Sequence, residues 1–320
     1  MKKNSTLRKL IAIATIALLI LGSLAGCNSK AADTKTQSDS TADSDASTTA
    51  ATTTGSDAAT TEATSADSNA SFRTLDEIKQ SGKIVIGVFS DKAPFGYVDE
   101  NGDYQGYDVY FAERIAQDLD VEVEYVSTDP ASRVEYAATG KVDIILANFT
   151  VTEERAQQVD FALPYMKVML GVVSADSAVI TGVEELTGKT LIVVKGTTAE
   201  TFFEKNYPDV KLQKYDEYAD AYNALLDGRG DAFSTDNTEV LAWALSNPGF
   251  TVGIDALGNA DTIAPAVQKG NTTLLEWLNE EIEALGEENF FHADYEQTLA
   301  PVYGEAADPD ALVVEGGVID

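Results

Sequence analysis

Residues 143–155 read DIILANFTVTEER, and they decide how the rest of the chain is interpreted. They lie in a continuous apolar run, Val142 to Ala147, which predicts a parallel strand buried on both faces. The strand ends in a polar turn, and a helical segment that carries Arg155 follows. Ligands of open α/β sheets bind beyond the carboxyl ends of the strands, so Thr150, Thr152 and Arg155 are placed to contact a small ligand.

Arg155 has two interpretations. An arginine can hold a carboxylate through two parallel hydrogen bonds, which makes Arg155 a candidate for gripping the carboxylate of a small molecule. It can instead form a structural ion pair with Asp160 or Glu154 at the start of the helix. The stretch alone leaves both interpretations open.

The charge of the chain restricts its partners. The 320 residues, enough for about two domains, carry 53 acidic side chains against 22 basic ones, for a net charge of −31. This balance argues against nucleic acid as a partner, because binding to phosphates needs basic patches. It also disfavours a polyanionic ligand, which the field of the protein would repel. A zwitterion has no net charge and escapes that repulsion.

Cysteine and histidine are too rare for most catalytic or metal chemistry. The chain has one of each, so no disulfide can form within it and a zinc cluster is excluded. We therefore expect no metal and no cofactor. His292 follows Phe290 and Phe291, which favours a packing or capping role over catalysis. The acids around Asn101-Gly102 fit a hairpin turn better than a calcium loop.

The amino terminus has the features of an export signal. A basic start is followed by an apolar run, Leu10 to Leu21, which is shorter than the roughly 20 residues of a spanning helix. The segment Leu24-Ala25-Gly26-Cys27 matches the lipobox of bacterial lipoproteins. We predict a signal peptide over residues 1–26 and a lipid anchor on Cys27, which would attach the protein to the bacterial cell membrane from outside. The alternative is an ordinary export signal with an incidental cysteine.

Residues 27–71 are predicted to be a tether. After Cys27 the segment is rich in Ser, Thr, Ala and Asp and lacks apolar periodicity, so it cannot bury a core and is expected to be disordered.

From residue 72 onward, strands and helices are predicted to alternate, as in a parallel α/β domain. The first unit begins with a strand at Ile84–Val88, and a second unit starts over with a strand at Thr190–Val194. The small-residue loop Lys195–Ala199 then opens a helix and offers backbone N–H groups to an anion. A further strand, Asp231–Asp236, ends in a carboxylate. Asp236 can accept the ammonium of a ligand, cap the next helix, or do both.

Four segments together resemble one family, the extracellular solute-binding proteins of polar amino acid ABC importers. The resemblance covers residues 72 to 303. The segments are Gly106-Tyr107-Asp108-Val109, residues 147–155 followed by Val159-Asp160-Phe161, Lys195-Gly196-Thr197-Thr198, and Asp231-Ala232-Phe233 with Asp236.

The resemblance implies a role for each of these residues. Thr150 and Arg155 would hold the carboxylate of an amino acid, and the loop with Thr197 and Thr198 would complete that site. Asp236 would accept the α-ammonium group.

The resemblance also implies an α/β fold of the periplasmic-binding-protein-like type II. Two α/β lobes would be joined by two hinge crossings, with the ligand in the cleft between them. We expect lobe 1 to comprise residues 72–164 and 264–303, lobe 2 residues 165–263, and a tail residues 304–320. The crossings would lie near Tyr165–Val168 and Asn259–Ile263.

Within the family, the chain is most similar to the cysteine-binding branch. Residues 91–97, 144–150, 164–168 and 264–267 carry that similarity. The side-chain preference would then depend on residues around the cleft, namely Phe89, Lys92, Arg133, Ala147, Asn148 and Phe149.

The resulting hypothesis is a binding protein and not an enzyme. It would capture a zwitterionic amino acid, cysteine or cystine, and deliver it to an ABC permease and ATPase complex. One alternative is an enzyme on the same fold, similar to cyclohexadienyl dehydratase, since a fold does not determine function. Another is an amino-acid-sensing module.

Overall fold

The computed structural model describes residues 72–319 of the chain. The predictions for the signal peptide, for Cys27 and for the tether lie outside the described residues. Within residues 72–319, no helix combines the length and the apolar character needed to cross a membrane.

The strands, in chain order, are β1 (Lys83–Val88), β2 (Asp91–Lys92), β3 (Gly96–Val98), β4 (Tyr104–Gln105), β5 (Glu122–Ser127), β6 (Ile144–Ile145), β7 (Val159–Phe161), β8 (Met166–Ala175), β9 (Thr190–Val194), β10 (Lys211–Tyr215), β11 (Ala232–Asp236), β12 (Phe250–Ile263) and β13 (Ala266–Gln268). The helices are α1 (Leu75–Ser81), α2 (Tyr107–Leu119), α3 (Arg133–Ala138), α4 (Glu153–Ala156), α5 (Thr198–Asn206), α6 (Tyr218–Leu226), α7 (Asn237–Ser246), α8 (Thr272–Glu287), α9 (Phe290–Asp294), α10 (Ala300–Tyr303) and α11 (Pro309–Leu312). A π-helical turn, Tyr295–Leu299, joins α9 to α10.

Two five-stranded sheets form the two lobes, which confirms the predicted fold class. In lobe 1 the strand order is β5-β1-β6-β13-β7, and in lobe 2 it is β10-β9-β11-β8-β12. The predicted strand at residues 142–147 is observed as β6, which is buried and parallel to β1 and antiparallel to β13. β2, β3 and β4 form a small antiparallel sheet, and its β3–β4 turn contains Gly102 at φ 91° as the hairpin prediction requires.

Helix signals in the sequence match the observed helices. Thr74 and Glu77 form a capping box that begins α1, and Gly82 ends it in the left-handed conformation. In α8, Leu274, Leu278, Ile282 and Leu285 lie on one face and are all fully buried. Burying each such side chain contributes roughly 1.5–3 kcal/mol, which fixes α8 against lobe 1.

The chain passes between the sheets twice, and the two crossings pair with each other. Met166 at the start of β8 lies opposite Ile263 at the end of β12. Only a return crossing is predicted here from the sequence, whereas β12 has 14 residues. The register shifts three times along the β8–β12 pair, and these irregularities break the alternation by which a strand is detected in a sequence.

The carboxyl-terminal tail lies against the first crossing. Val313 forms an antiparallel bridge with Met166, and the N–H of Val314 donates to the carbonyl of Tyr165 over 3.0 Å. His292, on α9, lies 2.8 Å from Glu315 and 3.1 Å from Asp310. Its ring therefore contacts acids of the tail, which is neither the packing nor the capping role predicted for it.

Candidate ligand-binding site

Arg155 reaches from lobe 1 to lobe 2. The Thr152 side chain accepts the N–H of Arg155 and so begins α4. The guanidinium donates to the carbonyl of Thr150 over 2.6 Å and to the carbonyl of Gly196, in lobe 2, over 2.9 Å. Neither Asp160 nor Glu154 forms a salt bridge with Arg155 in the described part of the chain. The structural ion pair considered for Arg155 is therefore not observed.

A second guanidinium, that of the buried Arg133, lies beside the half-buried one of Arg155. Arg133, on α3, donates to the carbonyls of Ala147 and Asn148 over 3.0 and 3.1 Å, and it also reaches Gly196 over 3.4 Å. Its carbon Cζ lies 4.5 Å from the centre of the Phe149 ring, and that of Arg155 lies 4.7 Å from the same centre. Both guanidiniums therefore make cation–π contacts with the Phe149 ring.

The two guanidiniums form a positive region that is partly shielded from water. Burial first, and then the positive charge of Arg133, lower the pKa of Arg155. Both of their cross-lobe hydrogen bonds go to one neutral carbonyl, that of Gly196, and not to a carboxylate. An anionic group at this position would offset the repulsion between the two cations. The electrostatics therefore fit the binding of a carboxylate.

The loop at the start of α5 supplies the facing wall. The Thr197 hydroxyl accepts the N–H of Glu200 and donates to the carbonyl of Val194 over 2.7 Å, so this side chain caps the helix. The carboxylate of Glu200 accepts the N–H of Gly196 over 2.7 Å. A cavity of about 410 Å³ beside the loop is lined by Arg155 and Thr198. Of the two predicted threonines, only Thr198 contributes to this cavity.

Lys92 lies at the other end of the cleft. It is 1% exposed, and its ammonium donates to Oδ1 of Asn148 over 2.6 Å. In lobe 2 it faces Asp236 at 3.5 Å and Glu239 at 3.9 Å. It also lies 4.6 Å from the centre of the Tyr218 ring. Burial alone would lower the pKa of Lys92, but Tyr218, Asp236 and Glu239 outweigh it and raise that pKa.

Asp236 occupies the position predicted for it, at the end of β11, but one expected role is wrong. It is the N-cap residue of α7 by position, yet its side chain makes no capping hydrogen bond. The following residue, Asn237, instead accepts the N–H of Thr238 with its own side chain. The carboxylate of Asp236 is directed at Lys92 and so belongs to the cleft.

Asn148 joins the two ends of the site. It has φ 43°, in the left-handed region that asparagine tolerates better than most residues. Its Oδ1 accepts from Lys92, whereas its Nδ2 is buried and has no hydrogen-bond partner among the described residues. Phe89, the remaining predicted residue, packs edge-on against Tyr218 at 5.6 Å. Direct contacts therefore link seven of the predicted residues, namely Arg155, Arg133, Phe149, Asn148, Lys92, Phe89 and Asp236.

Sequence reasoning did not single out Tyr218, Asp108 or Glu239. Tyr218 follows β10, so the rule that ligands bind at strand ends could have found it. Glu239 lies one helical turn after Asp236. This spacing places two carboxyl groups near each other, and it could have been recognised in the sequence. Asp108 sits in a quoted motif, but its burial and its contact with Asn148 required the fold.

Asp108 is predicted to make stability depend on pH. It is fully buried, and its carboxyl accepts from the Tyr165 hydroxyl over 2.6 Å and from the N–H of Asn148 over 2.7 Å. Burial raises the pKa of Asp108 from 3.8 to about 7. The folded state therefore holds a proton that the unfolded state has lost, and the stability due to this group is lost as pH rises through about 7.

The variant Asp108→Asn removes this proton. The wild type loses the stability due to Asp108 as pH rises from 4 to 7, and the variant does not. Relative to the wild type, its free energy of unfolding should therefore increase over that range, which urea titrations at several pH values would measure. A constant difference across that range would contradict the assignment.

The two lobes are in contact along the cleft. Arg155 and Arg133 reach Gly196, and Lys92 faces Asp236. In addition, the carboxylate of Asp91 accepts the N–H of Ala219 over 3.0 Å. The structure is therefore a closed arrangement, in which side chains of lobe 1 contact lobe 2 directly.

Comparisons with known proteins show the family of the chain. The sequence matches the family described as bacterial extracellular solute-binding proteins, family 3, over residues 84–298. A solved structure of the solute receptor for L-cysteine of Neisseria gonorrhoeae is 55% identical, with a TM-score of 0.74, and covers 76% of this chain and 100% of its own. The cysteine-binding protein of Campylobacter jejuni is 51% identical with the same TM-score of 0.74, over 75% and 98%.

A more distant relative is also a binding protein. The glutamine-binding protein of Geobacillus stearothermophilus is 30% identical over 257 residues, which are 79% of this chain and 89% of that protein. These similarities support a binding protein over an enzyme.

Proposed function

Because the chain belongs to the bacterial extracellular solute-binding proteins of family 3, we propose that it captures L-cysteine or its disulfide cystine for an ABC importer. The family establishes the coarser function, an extracytoplasmic amino-acid-binding component of such an importer. The observation that carries the proposal is the pair of guanidiniums, half-buried Arg155 and buried Arg133, that donate to one carbonyl of the opposite lobe. The two cysteine-binding relatives, at 55% and 51% identity, support the choice of ligand.

In the proposed complex, the charged ends of the zwitterion lie at opposite ends of the cleft. Arg155, with Thr150 and the loop containing Thr197 and Thr198, holds the carboxylate. Asp236 accepts the ammonium, sharing its carboxylate with Lys92. The side chain of the ligand then lies among the remaining predicted residues, Phe89, Lys92, Arg133, Ala147, Asn148 and Phe149.

The proposed transport cycle uses closure of the lobes. A ligand that contacts both lobes stabilises the closed state and shifts the population toward it. A membrane permease would recognise that closed form. We further propose that lipid on Cys27 and the tether to residue 71 hold the protein at the outer face of the membrane, and that the lobes have the limits predicted from the sequence.

A thermal-shift scan tests the ligand. The protein, unfolded and refolded to remove bound amino acid, is heated with each amino acid and with cystine. A ligand at 100 times its Kd stabilises the folded state by about 2.7 kcal/mol, which raises Tm by roughly 5–10 °C for a protein of this size. We expect that rise with cysteine or cystine and little change with the others.

Other outcomes of the scan separate the alternatives. A shift with a different amino acid would keep the transport function and remove the cysteine assignment. The absence of any shift would favour a non-amino-acid solute or a dehydratase, and turnover of arogenate or prephenate would identify the enzyme. Loss of cysteine uptake in cells that lack the protein distinguishes transport from sensing.

A further inference from the structure

Lys92 belongs to lobe 1, but its charged partners belong to lobe 2. It ends β2, and in its own lobe its ammonium bonds to the neutral amide of Asn148 at 2.6 Å. Across the cleft it faces two carboxyl groups, Asp236 at 3.5 Å and Glu239 at 3.9 Å. The side chain is 1% exposed, so these interactions take place away from water.

Glu239 is a buried acid whose nearest cation is Lys92. It is fully buried on α7, one helical turn beyond Asp236. Its Oε1 accepts the hydroxyl of Tyr222, and its Oε2 has no hydrogen-bond partner among residues 72–319. Burying a carboxylate costs free energy unless a nearby positive charge pairs with it or a bound proton neutralises it. Burial raises the pKa of Glu239 to about 8, and Lys92 opposes that rise. Lys92 therefore favours the ionised form of Glu239, and Glu239 favours the charged form of Lys92.

A fixed ammonium at this position restricts the ligand. Lys92 lies beside Asp236, the group proposed to accept the α-ammonium of an amino acid. Arg133, also buried, lies over the Phe89 ring at 5.4 Å, and Lys92 lies over the same ring at 5.5 Å. A ligand side chain between them meets positive charge on two sides. A second cation there would be repelled, because like charges interact strongly in a site without water.

We propose that Lys92, held in position by Glu239, determines side-chain specificity by rejecting amino acids with cationic side chains and admitting neutral or anionic ones. The inference rests on the proposed function in one respect, that the cleft binds an amino acid. Lys92 acts on the ligand directly, whereas Glu239 is a positioning residue.

The test measures affinities by titration calorimetry for cysteine, glutamate, arginine and lysine. In the wild type, arginine and lysine should bind at least a hundredfold more weakly than the best neutral or anionic ligand. In Lys92→Gln that ratio should fall at least tenfold, whereas Lys92→Arg, which keeps the charge, should still reject both cations. The matched control is Lys79→Gln, the same change at an exposed site on α1, and it should leave the ratio unchanged.

A double-mutant cycle tests the role of Glu239. Glu239→Gln should change the cysteine-to-arginine ratio in the wild-type background and have no further effect in Lys92→Gln. An equal effect in both backgrounds would contradict the positioning role. If Lys92→Gln fails to fold, Lys92→Met replaces it as the neutral variant.

The failures can be told apart. If the wild type binds no amino acid, the proposed function is wrong. If it binds one but Lys92→Gln keeps the wild-type ratio, or Lys92→Arg loses it, only the specificity inference is overturned.

Discussion

Replacing Arg155 by alanine should weaken ligand binding roughly a hundredfold. The guanidinium is half-buried between the lobes and donates to the carbonyl of Gly196, beside the positive charge of Arg133. A hydrogen bond to a charged group contributes about 1.5–3 kcal/mol, so losing the proposed carboxylate contact removes about 3 kcal/mol of binding free energy. Titration calorimetry on ligand-free protein would measure the change in Kd.

Two controls separate binding from folding in this experiment. Arg155→Lys keeps the charge without the two-pronged geometry, so its affinity should lie between those of the wild type and the alanine variant. Arg229→Ala removes an exposed arginine of lobe 2 and should leave Kd unchanged. The Tm of each variant without ligand shows whether the lobes still fold. An unaltered Kd in Arg155→Ala would remove Arg155 from the site.

Gly196→Ala should prevent full closure of the lobes. Gly196 has φ 74°, and a methyl group on it would lie 2.6 Å from Cα of Ala131 and 2.9 Å from the carbonyl carbon of Pro130, both in lobe 1. These are backbone atoms, so they cannot rotate away as a side chain can. If only about 1% of the molecules then reach the closed state, the apparent affinity falls on the order of a hundredfold.

Gly188→Ala is the matched control for this variant. Gly188 also lies in lobe 2 and has a similar φ of 79°, but no atom lies within 4 Å of the position where a methyl group would be added. Both variants therefore share the backbone strain, and only Gly196→Ala has the clash across the cleft. Small-angle scattering should show ligand-induced compaction for Gly188→Ala and little for Gly196→Ala. Equal compaction and equal Kd in both variants would show that the contact at Gly196 does not control closure.

The sequence predicted elements with a regular pattern and missed those without one. The apolar run that contains β6 is uninterrupted, so that strand was found, and the apolar face of α8 repeats at helical spacing, a pattern of the same regular kind. β12 was missed because bulges interrupt its pairing with β8. For the same reason, the crossing at residues 259–263 was predicted as a short connection and not as the end of a long strand.

Side-chain roles that depend on the fold were the hardest to predict. The strand-end rule placed Arg155, Lys92 and Asp236 in the cleft, since it depends only on sequence order and strand direction. The strand-end rule could not show that the Asp236 carboxylate faces Lys92 and makes no capping hydrogen bond to α7. Nor could it show that Thr197 uses its hydroxyl within its own lobe. The contact between Asp236 and Lys92 depends on how the two lobes meet, and no local pattern records that.

The strand order also has a consequence for the sequence in which parts of the molecule can form. β13 lies between β6 and β7 and pairs with both, at Ile145 and Phe161, yet it follows the whole of lobe 2 in the chain. The strands of the lobe 2 sheet, β8 to β12, are consecutive in the chain. All of them are therefore synthesised before β13, the strand that completes the sheet of lobe 1. Thr150 and Arg155 lie between β6 and β7, and Thr150 itself bridges to Ile263. The end of the cleft around Arg155 can therefore be completed only after the whole of lobe 2 has been synthesised.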